Sequence, residues 1–189
     1  MRVSLIITTY NSPDTLLLVL QSVERQTTLP FDVIVADDGS NNVTKELIEN
    51  FQLTTCLKII HSWQNDKGFR AAKSRNKAIA KSGAEYLVLI DGDMILHPEF
   101  IQDHIKNSEI GFFIQGTRVI LTKNATEDAL SKMSIIFSYF SNGIKNRKNA
   151  IHSNFLSKLF IRKKRHLNGI KACNMAFFRE DCVNINGFN

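Results

Sequence analysis

The stretch Tyr86-Leu87-Val88-Leu89-Ile90-Asp91-Gly92-Asp93 joins a five-residue apolar run to two aspartates that are separated by one glycine. An apolar run of this kind predicts a strand that is buried on both faces, as in the centre of a parallel sheet. The two carboxylates then lie at the exit of the strand, where oxygen ligands can hold Mg²⁺ or Mn²⁺. A divalent cation there can bind a diphosphate, so the stretch indicates a phosphorylated substrate.

Short β-rich runs alternate with helical patterns before and after this stretch. Strands are predicted at 3–8, 32–36, 57–61 and 86–90, and helices at 14–26, 43–51, 70–81 and 98–106. Farther along, a strand is predicted at 112–121 and helices at 127–140 and 155–165. The alternation predicts one α/β domain with a mostly parallel central sheet flanked by helices.

A polar cluster follows each of the first four predicted strands. The clusters are Thr8-Thr9-Tyr10-Asn11, Asp37-Asp38-Gly39-Ser40, Asp66-Lys67-Gly68 and Asp91-Gly92-Asp93. Each cluster taken alone also fits an ordinary turn. Ligands of parallel sheets bind beyond the carboxyl ends of the strands, so the four clusters together predict one binding rim.

Two of these clusters suggest contacts to a nucleotide. Asp38 offers an acceptor for the N3–H of a uracil or for a ribose hydroxyl, and its alternative role is a turn or a helix cap. The segment Lys67-Gly68-Phe69-Arg70-Ala71-Ala72-Lys73-Ser74-Arg75-Asn76 brings four cations to a helix start, which suits phosphate. Its alternative role is a solvated basic helix face. Arg70 and Arg75 are five apart, so at most one is expected to reach the ligand directly while the other braces the loops.

The net charge of +6 is concentrated in one region. Residues 132–171 contain ten Lys or Arg and no Asp or Glu, which leaves −4 for the rest of the chain. This segment is either a solvated face or, through 155–165, a peripheral contact with an anionic membrane. Nucleic acid is not expected as a partner, because no recognised module with aromatic stacking residues accompanies the charge.

The remaining composition narrows the class of protein. No apolar run approaches the roughly 20 residues that cross a bilayer. The three cysteines are odd in number and form no CxxC pair, which argues against a disulfide framework or a zinc site and favours a reducing cytoplasm. The glycine-rich fingerprints G-x-x-x-x-G-K-[ST] and G-x-G-x-x-G are absent.

The ordered motifs resemble those of the family 2 glycosyltransferases, which have the GT-A fold and use nucleotide-diphosphate sugars. The resemblance covers nearly the whole chain. It runs through Ile6-Ile7-Thr8-Thr9-Tyr10-Asn11, Val35-Ala36-Asp37-Asp38-Gly39-Ser40, residues 68–76, Leu89-Ile90-Asp91-Gly92-Asp93, Ala172-Cys173-Asn174-Met175-Ala176-Phe177 and Asn186-Gly187-Phe188-Asn189.

The resemblance implies specific roles for these residues. The nucleotide-sugar site would comprise Thr8, Tyr10, Asn11, Asp38, Lys67, Gly68, Arg70, Arg75 and Asp91. Asp91 and Asp93 would hold the metal, Mn²⁺ or Mg²⁺, with Asp93 as the catalytic ligand. Asn174 would lie on the acceptor side. The general base of the family follows the segment that ends here at Asn189, so it is expected beyond that residue. Glu180-Asp181 is the only late acidic pair in this sequence, but its position also fits a helix start, so it is not expected to be the base.

The function expected from this resemblance is inverting transfer of a hexosyl or N-acetylhexosaminyl group. The donor would be a UDP-sugar and the acceptor a glycan or lipid-linked molecule, in bacterial cell-surface polysaccharide or lipooligosaccharide synthesis. Residues 1–121 would bind the donor, and 122–189 would form the acceptor-side and basic part of the same domain. The expected location is the cytoplasm or the inner face of the membrane. Two alternatives remain open: a non-catalytic nucleotide-sugar or glycan-binding module, and a nucleotidyltransferase.

Overall fold

A computed structural model describes residues 1–153, 157 and 170–189. The eight strands of these residues are β1 (Val3–Thr9), β2 (Asp32–Asp37), β3 (Ile59–Trp63), β4 (Tyr86–Asp91), β5 (Ile114–Gln115), β6 (Ile120–Leu121), β7 (Ile144–Lys145) and β8 (Asn174–Phe178). The α-helices are α1 (Pro13–Glu24), α2 (Asn42–Thr54), α3 (Ala71–Lys81), α4 (Phe100–Asn107), α5 (Lys123–Lys132) and α6 (Arg179–Asn184). A 3-10 helix covers Arg147–Ala150.

Six strands form the central sheet in the order β3-β2-β1-β4-β8-β5. β1 pairs in parallel with both β2 and β4, and β8 is inserted antiparallel between β4 and β5. The sheet is therefore mostly parallel, as predicted. The register places Thr8 of β1 beside Ala36 on one side and Asp91 on the other, which aligns the exits of the three central strands.

The core occupies both faces of this sheet. Leu5 and Ile7 of β1 face α1, α2 and α4, whereas Ile6 faces α3. All three side chains are fully buried. Continuous apolar strands are required where helices cover both faces, and this explains why the strands were recognisable from apolar runs alone.

The first four helices begin close to their predicted starts. The Asn41 side chain accepts a hydrogen bond from the Val43 backbone and caps α2, which satisfies one of the unpaired N–H groups at the helix start. Pro13 is the first residue of α1, where its missing N–H costs nothing. Ser12 precedes it without forming a side-chain cap, and its hydroxyl donates to the Tyr10 carbonyl.

The second half differs from the sequence prediction. The strand predicted at 112–121 is two short strands in different sheets, β5 and β6. The predicted strand is interrupted after β5 at Gly116, where an added Cβ would collide with the Asn174 side chain. The helix predicted at 127–140 begins at Lys123 and ends at Lys132, where Met133 adopts the left-handed conformation with φ +50°. β8 was not predicted as a strand. The helix predicted at 155–165 lies outside the described residues, apart from residue 157.

No helix within the described ranges combines the length and the apolar composition needed to cross a membrane.

Candidate active site

The exits of β1 and β4 are held together by a glycine. The Gly92 N–H donates to the Thr8 carbonyl at 2.7 Å. A Cβ on Gly92 would lie 2.9 Å from that carbonyl oxygen, closer than a side chain tolerates. Glycine between the two aspartates thus lets the backbones meet and places Asp91 and Asp93 at the rim.

Arg75 links this rim to α3. Its Nε donates to the Thr8 hydroxyl at 3.1 Å, and its Nη2 lies 3.3 Å from Asp91 Oδ1. Burial raises the pKa of Asp91 above its usual value; the Arg75 charge opposes this shift, and the nearby charge of Asp93 adds to it. Of the two arginines singled out in the sequence, Arg75 is therefore the one that contacts Asp91.

Asp91 and Asp93 fit a hard divalent cation by the chemistry of their donor atoms. Both offer carboxylate oxygens, Asp93 is exposed, and 39% of the Asp91 side chain is accessible. Mg²⁺ is typically held by one or two carboxylates and keeps water and phosphate oxygens as its other ligands. Two carboxylates on an open rim match that pattern.

The loop after β2 is anchored by Asp37. Its Oδ1 accepts from the backbone N–H groups of Gly39 at 3.1 Å and Ser40 at 2.7 Å, and its Oδ2 contacts His61 Nε2 at 2.8 Å. Burial of Asp37 tends to raise its pKa, but these hydrogen bonds outweigh burial and hold the pKa below its usual value. The charged carboxylate thereby fixes the loop that carries Asp38.

Asp38 joins this loop to the segment between β3 and α3. Its Oδ1 accepts from Gln64 Nε2 at 2.6 Å, and its Oδ2 accepts from the Arg70 N–H at 2.7 Å. The carboxylate is buried, with 4% exposure. The Arg70 N–H at the start of α3 is therefore used within the protein, and the Arg70 side chain donates to the Asn65 carbonyl. Each Asp38 oxygen retains acceptor capacity, since a carboxylate has about four lone-pair sites.

Tyr10 and Asn11 close the same side of the rim. The Tyr10 hydroxyl donates to Asp66 Oδ2 at 2.9 Å, and this hydrogen bond to a charged carboxylate raises the pKa of Tyr10. The Asn11 N–H donates to the Ser40 hydroxyl at 2.9 Å, and the Asn11 side chain accepts from Asn41 at 2.9 Å. The Tyr10 ring is half exposed and remains available to a ligand.

Lys67 and Gly68 form part of the loop between β3 and α3. Gly68 has φ +80°, a backbone conformation that favours glycine, and its N–H donates to Asp66 Oδ1 at 3.0 Å. An open basic cavity of about 310 Å³ adjoins this loop. It is lined by Trp63, Gln64, Asn65, Lys67, Arg70, Lys73 and Lys77. It shares only Lys67 and Arg70 with the predicted nucleotide-sugar set.

Asn174, the predicted acceptor-side residue, is buried at the start of β8 opposite Ile90. Its Nδ2 donates to the Thr117 carbonyl at 3.1 Å, and its Oδ1 lies 3.2 Å from His104 Nε2. Burial lowers the pKa of His104 to about 4, so this imidazole is neutral at pH 7. Asn174 thus joins β8 to α4 and to the loop after β5 from within the protein.

Glu180 and Asp181 do not belong to the site. They occupy the first turn of α6, as the helix-start interpretation proposed. β8 runs antiparallel to β4, so its last residue, Phe178, is opposite Tyr86, whereas Asp91 is at the other end of β4. Glu180 and Asp181 therefore lie at the end of the sheet opposite Asp91 and Asp93.

A second group of metal-type ligands lies at the start of α4. Glu99, Asp103 and His152 each place one ligand atom within 4.8 Å of the others. His152 Nε2 contacts Asp103 Oδ2 at 2.8 Å, and the His152 ring stacks on His97 at 4.3 Å. The donor set could accept a cation, and it is separate in sequence and in contacts from Asp91 and Asp93.

Gln64 and Arg118 were not predicted as residues of the rim, and Asp66 was predicted only as part of the cluster Asp66-Lys67-Gly68, with no role of its own. Gln64 and Asp66 bond Asp38 and Tyr10, and their sequence signal was their position directly after β3. Arg118 donates to Cys173 Sγ at 2.8 Å, next to Asn174. It had no local signal, because its placement depends on the insertion of β8 beside β4.

The sheet and its rim define the GT-A class of α/β proteins, and solved structures share the fold. A mannosyltransferase from Pyrobaculum calidifontis, solved with GDP-Man and Mn²⁺, aligns over 100% of this chain and 47% of its own, with a TM-score of 0.62 and 16% identity. Glucosyl-3-phosphoglycerate synthase from Mycobacterium tuberculosis, solved with uridine-diphosphate, aligns over 95% of this chain and 57% of its own, with a TM-score of 0.54 and 16% identity.

The chain belongs to glycosyl transferase family 2, whose model matches residues 4–183. Validoxylamine A glucosyltransferase of Streptomyces hygroscopicus subsp. limoneus is 34% identical over 101 residues, which make up 52% of this chain and 22% of that protein. Hyaluronan synthase of Pasteurella multocida is 31% identical over 103 residues, 54% of this chain and 10% of that protein. The chain thus covers only a minor part of these relatives. Membership of the family supports a transferase of glycosyl groups and argues against the alternative of a nucleotidyltransferase.

Proposed function

We propose that the protein transfers a hexosyl or N-acetylhexosaminyl group from a UDP-sugar to a glycan or lipid-linked acceptor. The process would be bacterial cell-surface polysaccharide or lipooligosaccharide synthesis at the inner face of the cytoplasmic membrane. One observation carries the proposal. Hydrogen bonds join the exits of β1, β2, β3 and β4 to one another. Tyr10 bonds to Asp66, and Asp38 bonds to Arg70. Arg75 bonds to both Thr8 and Asp91.

In this proposal the rim divides into a nucleoside side and a phosphate side. Tyr10 offers an exposed ring for the base, and the free acceptor capacity of Asp38 suits the N3–H of a uracil or a ribose hydroxyl. Thr8, Asn11, Lys67, Gly68 and Arg70 would frame the same ligand. Hydrogen bonds within the rim hold these groups before the donor arrives, which reduces the entropy lost on binding.

Asp91 and Asp93 would hold the divalent cation, Mn²⁺ or Mg²⁺, with Arg75 orienting Asp91. A bound cation would supply neutralisation of the diphosphate that leaves. In the inverting reaction the acceptor oxygen attacks the anomeric carbon, and the bond from that carbon to the phosphate oxygen breaks. The electron pair of the broken bond remains on the departing UDP, and the acceptor proton goes to a base. Glu180 and Asp181 are excluded as this base, because they lie at the end of the sheet opposite Asp91 and Asp93.

The test is calorimetric titration with UDP in the presence and absence of Mn²⁺. Wild type is expected to bind UDP more tightly with Mn²⁺, and Asp93→Ala is expected to lose that gain while remaining folded. Asp128→Ala is the matched control, because Asp128 is an exposed carboxylate on α5 that pairs with Lys132. Equal UDP affinity of Asp93→Ala and wild type in excess Mn²⁺ would show that the metal assignment is wrong.

A peripheral membrane contact forms a second part of the proposal. It is supported by the sequence composition: residues 132–171 carry ten cations and no carboxylate, and 155–165 also contains the apolar residues Phe155, Leu156, Leu159 and Phe160. Each cation near an anionic surface contributes about 1 kcal/mol. Replacing Arg162, Lys163, Lys164 and Arg165 by serine should reduce sedimentation with phosphatidylglycerol vesicles, most strongly at low salt. Unchanged sedimentation would favour a solvated face.

A further inference from the structure

The segment that follows β5 is fastened to the strand beside β4. The Gly116 N–H donates to the Asn174 carbonyl at 2.9 Å, and Asn174 Nδ2 donates to the Thr117 carbonyl at 3.1 Å. The Arg118 carbonyl in turn accepts from Asn149 Nδ2 at 2.8 Å. The backbone on both sides of the Arg118 side chain is thereby positioned by hydrogen bonds to two other parts of the chain.

This fastening brings Arg118 close to Asp91. Nη1 of Arg118 donates to Cys173 Sγ at 2.8 Å. Asn174 is opposite Ile90 in the antiparallel pairing of β8 with β4, and Cys173 directly precedes Asn174, at the end of the pairing that is nearest to Asp91 in the chain. Arg118 thus approaches the exit of β4 from the side of β8, whereas Arg75 contacts Asp91 from α3.

Arg118 retains most of its donors. A guanidinium has five N–H groups, and a thiol is a weak acceptor for one of them. Within the described residues Arg118 forms no ion pair with a carboxylate, whereas Arg75 is already engaged by Thr8 and Asp91. The exposed guanidinium of Arg118 can thus take up a new oxyanion without losing an existing salt bridge.

We propose that Arg118 is a binding residue for the diphosphate of the sugar donor, on the β8 side of Asp91. The inference rests on the proposed function, because it takes the anion at this rim to be a nucleoside diphosphate. The planar fork of arginine matches two phosphate oxygens at once. When the bond from the anomeric carbon to the phosphate oxygen breaks, the electron pair stays on that oxygen, and the Arg118 N–H groups stabilise the added charge without giving up a proton.

The experiment compares uridine with UDP as probes of the same site. Each is titrated calorimetrically into wild type, Arg118→Ala and Arg118→Lys, with Mn²⁺ in excess. Arg25→Ala is the control that removes the same charge, because Arg25 is an exposed residue at the C-terminal cap of α1. Uridine lacks the diphosphate, so it reports the nucleoside side and the integrity of the fold.

Arg118→Ala is expected to bind UDP about tenfold more weakly, the order expected when one charge-assisted hydrogen bond is lost, and to bind uridine like wild type. Arg118→Lys should recover part of the loss, and Arg25→Ala should match wild type. Equal UDP affinity of Arg118→Ala and wild type would overturn the inference while leaving the proposed function intact. Equal weakening for uridine and UDP would also overturn it. Failure of wild type to bind UDP would reject the proposed function and this inference together.

Discussion

Arg75 Nη2 lies 3.3 Å from Asp91 Oδ1, so Asp91 faces the positive charge of an α3 side chain before any ligand binds. Only 16% of the Arg75 side chain is accessible, compared with 39% of the Asp91 side chain. The arginine is held by the protein, and the carboxylate is presented at the rim. This arrangement keeps Asp91 in one orientation and partly offsets the effect of burial on its pKa.

Arg75→Ala should shift the pH dependence of metal binding. Burial already raises the pKa of Asp91, and loss of the Arg75 charge should raise that pKa further. A cation is held by the charged carboxylate, so the midpoint of Mn²⁺-dependent UDP binding should move to higher pH. Calorimetric titration across pH 4 to 8 measures that midpoint. Arg75→Lys, which keeps the charge, should stay closer to wild type; identical midpoints in all three proteins would contradict the prediction.

Asp37→Asn should destabilise the fold and remove part of its acid sensitivity. The pKa of Asp37 lies below its ordinary value of 3.8, so its contribution to stability is complete above that pH and is lost as the pH falls through the lower pKa of the folded state. At pH 7 the free energy of unfolding should fall by about 1 to 3 kcal/mol, because the buried hydrogen bonds from the loop to residue 37 are weakened. Urea unfolding at pH 7 and pH 3 measures both effects.

The control for Asp37→Asn is Asp128→Asn, which changes an exposed carboxylate on α5. Exposed ion pairs contribute little to stability, so the free energy of unfolding of this variant should lie within about 0.5 kcal/mol of the wild-type value. If both variants lost the same stability, the Asp37 network would have no special role in holding the loop after β2.

Gly39→Ala should weaken both the fold and the donor site. Gly39 has φ +103°, and a Cβ at this position would lie 2.6 Å from Asp66 Cα. The methyl group would strain the backbone and push the loops after β2 and β3 apart, at a cost of about 1 to 3 kcal/mol. Gly83→Ala is the matched control, since its Cβ would meet Phe31 at an ordinary 3.4 Å. Thermal unfolding and UDP titration should separate the two variants.

His104→Gln should flatten the pH dependence of stability in mildly acidic solution. Burial lowers the pKa of His104 from 6.5 to about 4, despite the hydrogen bond to Asn174 and the charge of Asp103. The stability linked to His104 is therefore present above pH 6.5 and is lost as the pH falls towards 4, with a total of order 3 kcal/mol. Urea midpoints between pH 7 and pH 4 measure this slope. An unchanged slope in the variant would show that His104 is not its source.

The sequence predicted β1 to β4 and α1 to α4 because each signal was local. Strands covered on both faces show as apolar runs, and Pro13 and Asn41 mark the starts of two helices. β8 was missed because its strand character depends on β4, more than eighty residues earlier in the chain. The break at Gly116 was missed for the same reason, since the side chain that fills the space belongs to Asn174.

In the candidate site, too, features with a local sequence signal were predicted, and features that depend on distant parts of the chain were not. The convergence of the four loops was predictable from the carboxyl ends of the parallel strands, and the contacts of Tyr10, Asp38 and Arg75 confirm that the loops meet. Which hydrogen bonds each residue makes was not predictable. The choice between Gln64, Asp66 and ligand as partners for Asp38 and Tyr10 depends on loop geometry that no spacing in the sequence encodes.

The insertion of β8 between β4 and β5 sets an order on assembly of the sheet. β1, β2, β3 and β4 pair with one another directly and are complete within the first 91 residues. Among the described strands β5 pairs only with β8, so during synthesis this pairing must wait for about sixty further residues. The loops after β1, β2 and β3 can therefore come together early in synthesis, whereas the part of the rim that contains Arg118 is completed only after β8 has been made.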